Sequence, residues 1–293
     1  KEFLSLAIFY SLQMLSIEKK GSRFYNEAEY FNKQTLPRLL RDFTPTRTTF
    51  GAWCISFCLF VISYINTFFK LRPMDSFILC YHSIDNDSWE FSTKITDFYS
   101  QIKYLKENYK IVSLNELIAD PGQKKVAITF DDGYKNVLEN AVPLLKKEKI
   151  PATFFVLGAP EISNRMELNN EKELLSVEDI KRLSKDGFEI GYHTKTHSNL
   201  YKLSSTQLQE EIVYGKKKLE KTLGIKLKHF AYPRGHYSDK ILSYVRKAGF
   251  EFSFTVDGGA LSLTNNYLIP RYSVSGNSSY SEFRTAISDL GLK

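Results

Sequence analysis

The chain has 293 residues, with 43% hydrophobic and 25% charged residues and a net charge of +7. This length and ordinary composition fit one good-sized globular domain with an appendage. Residues 1–72 hold ten Lys/Arg against five Asp/Glu, whereas residues 73–293 hold thirty against twenty-eight, so the larger part has no basic stripe and nucleic acid is excluded as a partner.

In chain order, an uncharged apolar stretch from Phe3 to Ile17 comes first. It is short for a membrane span, and residues 1–48 stand as a segment of unknown role. Residues 51–69 are nineteen uncharged residues, GAWCISFCLFVISYINTFF, flanked by Arg47, Lys70 and Arg72. That is about the length needed to cross a bilayer core. With Lys19, Lys20, Arg23, Lys33, Arg38 and Arg41 also preceding it, the positive-inside rule predicts a cytoplasmic N-terminus. A transmembrane anchor is therefore expected over 49–72, with an extracytoplasmic domain over 73–293. Cys54 and Cys58 belong to the apolar stretch, which leaves Cys80 alone in the larger part and excludes an internal disulfide there.

From Ser76 onward, short apolar runs predict strands at Phe77–Tyr81, Val126–Phe130, Thr153–Val156, Phe188–Tyr192, Phe230–Tyr232 and Phe252–Val256. Helical periodicity lies between most of them. Ser176 caps a helix that Gly187 ends, Ser204 and Ser205 open a long one that Gly224 closes, and a third runs from Ser238 to Ala248. Lys216, Lys217 and Lys218 read as a solvated helix face. Strands alternating with helices predict parallel βα units in an open sheet or a barrel.

Three clusters follow predicted strands, where α/β folds gather their sites. Asp131 and Asp132 stand in Thr-Phe-Asp-Asp-Gly-Tyr; neighbouring side chains leaving a strand diverge, so one carboxylate can bind a metal while the other handles a proton. Alone, Asp-Asp-Gly also fits a hairpin turn. His193 and His197, in His-Thr-Lys-Thr-His, have a spacing that lets two imidazoles converge on one ion. One carboxylate and two imidazoles leave coordination positions open, as a catalytic metal requires. Tyr232-Pro233-Arg234-Gly235 is a turn that could present a backbone N–H to developing negative charge.

These three motifs, in this order, resemble the NodB-homology polysaccharide deacetylases (carbohydrate esterase family 4). The likeness runs from about Phe77 to Val274 and includes Pro151-Ala152-Thr153-Phe154-Phe155 and Lys247-Ala248-Gly249-Phe250. It implies a distorted (β/α) barrel of about seven strands. It implies Asp131 as catalytic base, Asp132, His193 and His197 as metal ligands, and the Arg234 N–H at the oxyanion, with Tyr134, Tyr232 and Pro233 around the substrate. The chain departs from the common pattern in two places. Ala231 replaces an Arg that orients the base, and no His follows His236 to act as the general acid. Leu79-Cys80-Tyr81-His82-Ser83 instead resembles the branch containing the poly-β-1,6-N-acetylglucosamine deacetylases, in which an Arg often stands at the position of Arg271. His82 and Arg271 are thus expected in the acid and orienting roles; His229 and His236 are weaker candidates.

The expected protein is a membrane-anchored hydrolase removing N-acetyl groups from an N-acetylhexosamine polysaccharide or glycoconjugate. Its cofactor is a divalent ion, zinc first, with iron, cobalt or nickel as alternatives. Competing readings are an O-acetyl glycan esterase and a catalytically dead carbohydrate-binding homologue.

Overall fold

The computed structural model describes residues 76–122, 124–163, 168–169 and 171–290. The expected membrane anchor and the segment before it lie outside these residues. Among the described residues no helix is long and apolar enough to cross a membrane.

The elements in chain order are β1 (Phe77–Tyr81), β2 (Ser83–Ile84), β3 (Ser92–Thr93), α1 (Ile95–Asn108), β4 (Lys110–Ile111), α2 (Leu114–Ala119), β5 (Lys125–Phe130), α3 (Asn136–Asn140), α4 (Val142–Lys147), β6 (Thr153–Val156) and α5 (Val177–Lys185). They continue with β7 (Glu189–Tyr192), the long helix α6, β8 (His229–Ala231), α7 (Asp239–Lys247), β9 (Phe252–Phe254), β10 (Tyr272–Ser273) and α8 (Tyr280–Leu290). The six predicted strands are all present, although β8 starts and ends one residue early and β9 stops at Phe254. Strand β10 escapes sequence reading because it has only two residues and Pro270, which has no N–H to donate, precedes it closely.

The sheet is parallel throughout, in the order β10-β1-β5-β6-β7-β8-β9, with β4 also on β5. Phe254 of β9 bridges Ile269, and three residues later Tyr272 pairs with Leu79 of β1. One extended segment therefore carries β10, one end of the seven-strand path, and bridges β9 at the other end, which is consistent with the expected distorted (β/α) barrel. A parallel sheet covered on both faces demands apolar residues at successive positions, and every residue of β1, β5 and β6 is buried.

Alternation along each strand divides the core in two. Leu79, Phe130, Phe154, Ile190 and Phe230 pack under the helices. Ile78, Ala127, Phe155, Ala231, Phe254 and Ile269 form a second cluster on the inner face. Leu114 and Leu117 of α2 join that inner cluster, and Asn115 reaches Glu189 at the start of β7 (2.6 Å). Helix α2 thus covers the N-terminal end of the strands and leaves the C-terminal end for the site.

Two helix starts carry the expected chemistry: Ser176 with Asp179, and Ser204 with Gln207, form reciprocal capping boxes. Helix α6 is less regular than its sequence predicts. It runs as Ser205–Leu208, a π-helical stretch Gln209–Tyr214, and Gly215–Leu223. The lysine run on it is solvated only at Lys217 and Lys218. Lys216 is buried: its ammonium donates to the Ala248 and Gly249 carbonyls (2.9 and 3.3 Å) and lies over the Phe250 ring. It satisfies carbonyls that the end of α7 leaves open.

Candidate active site

The strand register assembles the mouth. Tyr81 pairs with Phe130, so His82 and Asp131 leave adjacent strands side by side. Tyr192 pairs with Phe230, which sets His193 against Ala231. Four residues here adopt the left-handed region that L residues rarely enter: Asp132 (φ 67°), Thr194 (67°), His197 (60°) and Arg234 (59°). Such conformations persist only where the surroundings impose them, and they concentrate at functional sites.

Asp132, His193 and His197 are all buried, and their ligand atoms lie within 4.8 Å of one another. Nε2 of His193 is 3.2 Å, and Nε2 of His197 3.3 Å, from the same oxygen, Oδ1 of Asp132. His193 Nδ1 sits 2.9 Å from the Ala231 carbonyl oxygen, which can only accept, so Nδ1 carries the hydrogen. The Nε2 of a neutral His193 then aims a lone pair at the Asp132 carboxylate. Burial raises the Asp132 carboxyl, but the two imidazoles beside it outweigh this and hold the group well below the usual carboxylate range. Converging lone pairs around one anionic oxygen require positive charge between them. A divalent ion fits this donor set, and its fixed-tautomer histidine follows the usual pattern of metal-ligating imidazole.

Asp131 faces a different partner. Arg271, fully buried, donates from both terminal nitrogens to the two Asp131 oxygens (2.7 and 2.6 Å). Its Nε donates to the Thr255 carbonyl (3.1 Å) and its Nη1 also to Thr129 Oγ1 (3.1 Å), and its guanidinium stands 5.0 Å from the Phe155 ring centre. Burial pushes the Asp131 carboxyl up; Arg271 overcomes this and keeps it below the ordinary range. Cys80, His82 and Asp131 form a second group of ligand-type atoms within 4.8 Å, but Arg271 already holds both Asp131 oxygens. Burial also pushes the Cys80 thiol well up, which keeps it protonated and inert.

His82 lies at the same mouth, against the Phe91 ring (centroids 5.0 Å apart). Its Nδ1 makes no hydrogen bond among the described residues. Burial lowers its pKa, against the pull of Asp132 and Asp131, so the imidazole is neutral at pH 7. Arg234 follows buried Pro233 in a single 3-10 turn.

Two candidates are placed elsewhere. The Tyr232 hydroxyl is buried against Ser253 Oγ (3.0 Å) and the Tyr267 carbonyl (3.1 Å), and burial pushes it up to about 12. Tyr134 is buried beneath Trp89, and its hydroxyl accepts from the Asn169 N–H (3.2 Å). Both rings are buried in the core cluster under the helices. His229 is likewise not at the mouth. It starts β8 at the opposite end, 3.0 Å from Glu189. His236 stacks on exposed Tyr201 (centroids 4.5 Å apart). Sequence reading missed Thr129, the Ala231 carbonyl and Glu211. Only Glu211 carried a signal: an acid at a core-facing position of the Leu208, Ile212, Gly215, Leu219 stripe.

A parallel α/β barrel with paired aspartates and two histidines at its C-terminal mouth defines a hydrolase-type centre. The polysaccharide deacetylase family model matches residues 119–253. The chain is 31% identical over 223 residues to the poly-beta-1,6-N-acetyl-D-glucosamine N-deacetylase of Staphylococcus aureus (strain MSSA476), covering 70% of this chain and 75% of that protein. It belongs to the polysaccharide deacetylase family. Among solved structures, IcaB from Ammonifex degensii superposes with a TM-score of 0.64 at 26% identity, covering 72% of this chain and 96% of that one. BC0361, a polysaccharide deacetylase from Bacillus cereus, gives a TM-score of 0.60 at 27% identity, covering 72% and 68%.

Proposed function

We propose that this polysaccharide deacetylase is a metal-dependent N-deacetylase of N-acetylhexosamine polymers or glycoconjugates. The observation that carries the reading is the convergence of Asp132, His193 and His197 beside an Asp131 clamped by Arg271. The three former residues would hold the ion, zinc by preference. A divalent ion bound there supplies Lewis-acid polarisation of the acetamide carbonyl and acidifies water.

The remaining steps belong to the protein. Asp131 takes a proton from the attacking water; Arg271 fixes both of its oxygens and keeps it ionised, replacing the orienting group absent at Ala231. The Arg234 N–H donates to the tetrahedral oxyanion. His82, neutral before turnover, can relay only a proton delivered during the reaction, and passes it to the leaving nitrogen. Proton transfers of this kind are worth about 10²–10⁴ in rate.

The test is acetate release from chitin oligomers, β-1,6-linked N-acetylglucosamine polymers and peptidoglycan, with and without chelator. Chelator-sensitive release from an N-acetylated glycan, abolished in Asp131→Asn, is expected. Release from O-acetylated sugars alone, or activity indifferent to chelator and to Asp131→Asn, overturns the proposal. The uncharged stretch 51–69 and its basic N-terminal flank support a membrane-anchored protein with an extracytoplasmic catalytic domain. A reporter fused after Lys293 that is active only in the cytoplasm overturns that topology.

A further inference from the structure

The two histidines of the site are held by different means. His193 is fixed by β7 and by the Ala231 carbonyl. His197 lies four residues further along a loop in which Thr194 and His197 itself take left-handed conformations. Thr194 Oγ1 accepts from the His197 N–H (3.1 Å), so the two are coupled. The middle of the loop needs its own anchor.

That anchor is Glu211. One carboxylate oxygen accepts from the backbone N–H groups of Lys195 and Thr196 (3.0 and 2.9 Å), and the other accepts from the Thr196 hydroxyl (2.6 Å). The Glu211 carbonyl accepts from the Tyr192 hydroxyl (2.8 Å) and from the Lys195 N–H (3.0 Å). The side chain is buried, so these acceptors replace water that cannot reach the loop. Glu211 reaches the loop from the π-helical turn of α6, a deviation that often accompanies function. Gly215 ends that turn, where a Cβ would stand 2.1 Å from the Tyr192 hydroxyl oxygen and 2.9 Å from Lys195 Cβ. Sequence, π-turn, carboxylate and loop form one chain of dependence ending at His197.

We propose that Glu211 is the positioning residue of the histidine loop, its carboxylate setting where His197 stands relative to His193 and hence the affinity for a divalent ion. The inference rests on the reading of Asp132, His193 and His197 as the ion's ligands.

The test uses the full chain, stripped of metal, and measures Zn²⁺ affinity by competition with a chromophoric chelator and the visible spectrum of the Co²⁺ form. Glu211→Gln turns an N–H donor towards one set of loop donors; it is expected to weaken Zn²⁺ about 10- to 100-fold, alter the Co²⁺ spectrum, and lower kcat more than it changes KM. Lys216→Met, on the same helix, removes a purely structural contact; it lowers Tm and leaves Zn²⁺ affinity unchanged. Should Glu211→Gln not fold, Thr196→Val removes a single donor and is expected to weaken Zn²⁺ several-fold. A folded Glu211→Gln or Thr196→Val with wild-type Zn²⁺ affinity and Co²⁺ spectrum overturns the inference while leaving the metal site standing. A parent protein that binds no divalent ion overturns the metal site and this inference together.

Discussion

A buried guanidinium against a buried carboxylate has no water to fall back on. Removing one partner of such a pair leaves an uncompensated charge and costs about 3–5 kcal/mol. Arg271→Met is therefore expected to lower stability by that order in urea titration. It also has a signed effect on catalysis. Burial alone raises Asp131 and Arg271 lowers it, so without Arg271 the carboxyl pKa rises. The base form is then lost at a higher pH, and the acid limb of the kcat/KM profile moves upward. An unmoved acid limb in a folded Arg271→Met protein would show that the pair does not control the base. For His82, replacement by Gln is expected to lower kcat about 100-fold with KM little changed, as single-turnover and steady-state kinetics would show.

At the level of the element, β7 works because Gly191 has no side chain. A Cβ there would come 2.4 Å from the Phe155 ring, which crosses the inner face beneath Arg271. Gly191→Ala must push Phe155 aside, and overpacking of this kind costs about 1–3 kcal/mol; an undiminished urea midpoint would contradict the packing. The other end of β7 holds Glu189, which accepts from Asn115 and from Thr153 Oγ1 (2.9 Å) and faces His229. Burial raises Glu189, but its hydrogen bonds and His229 bring the carboxyl below its ordinary value. A depressed carboxyl contributes stability above its unfolded pKa, and that stability disappears as pH falls through the folded value. Glu189→Gln is thus expected to lower Tm at pH 7 and to approach the wild type at an acid pH below the ordinary carboxylate range. Equal Tm differences at both values would refute this.

For the whole molecule, an ion that binds only the folded chain adds stability by mass action, about 4 kcal/mol at a thousandfold excess over its Kd. Chelator is expected to remove activity and lower Tm together, and zinc to restore both in a scanning fluorimetry titration. Loss of activity with an unchanged Tm would place the ion outside the folded domain's own site.

The sequence by itself determined the six strands of three or more residues, because a parallel sheet buried on both faces demands unbroken apolar runs, and it marked Asp131, Asp132, His193 and His197 as candidates, because their spacing is local. Helix ends were equally legible in Ser176, Ser204 and the glycines that follow each helix. What only the tertiary structure decided are contacts between residues far apart in the chain. Arg271 meets Asp131 across 140 positions, a pairing set by closure of the strand path. Tyr134 and Tyr232 are buried in the core cluster under the helices, a placement that packing and not proximity to a motif decides. Lys216 and Glu211 are buried through the packing of α6 against α7 and the histidine loop. Local patterns determine elements and mark the candidate site residues; the environment that charges, orients and supports those residues arises when the elements pack.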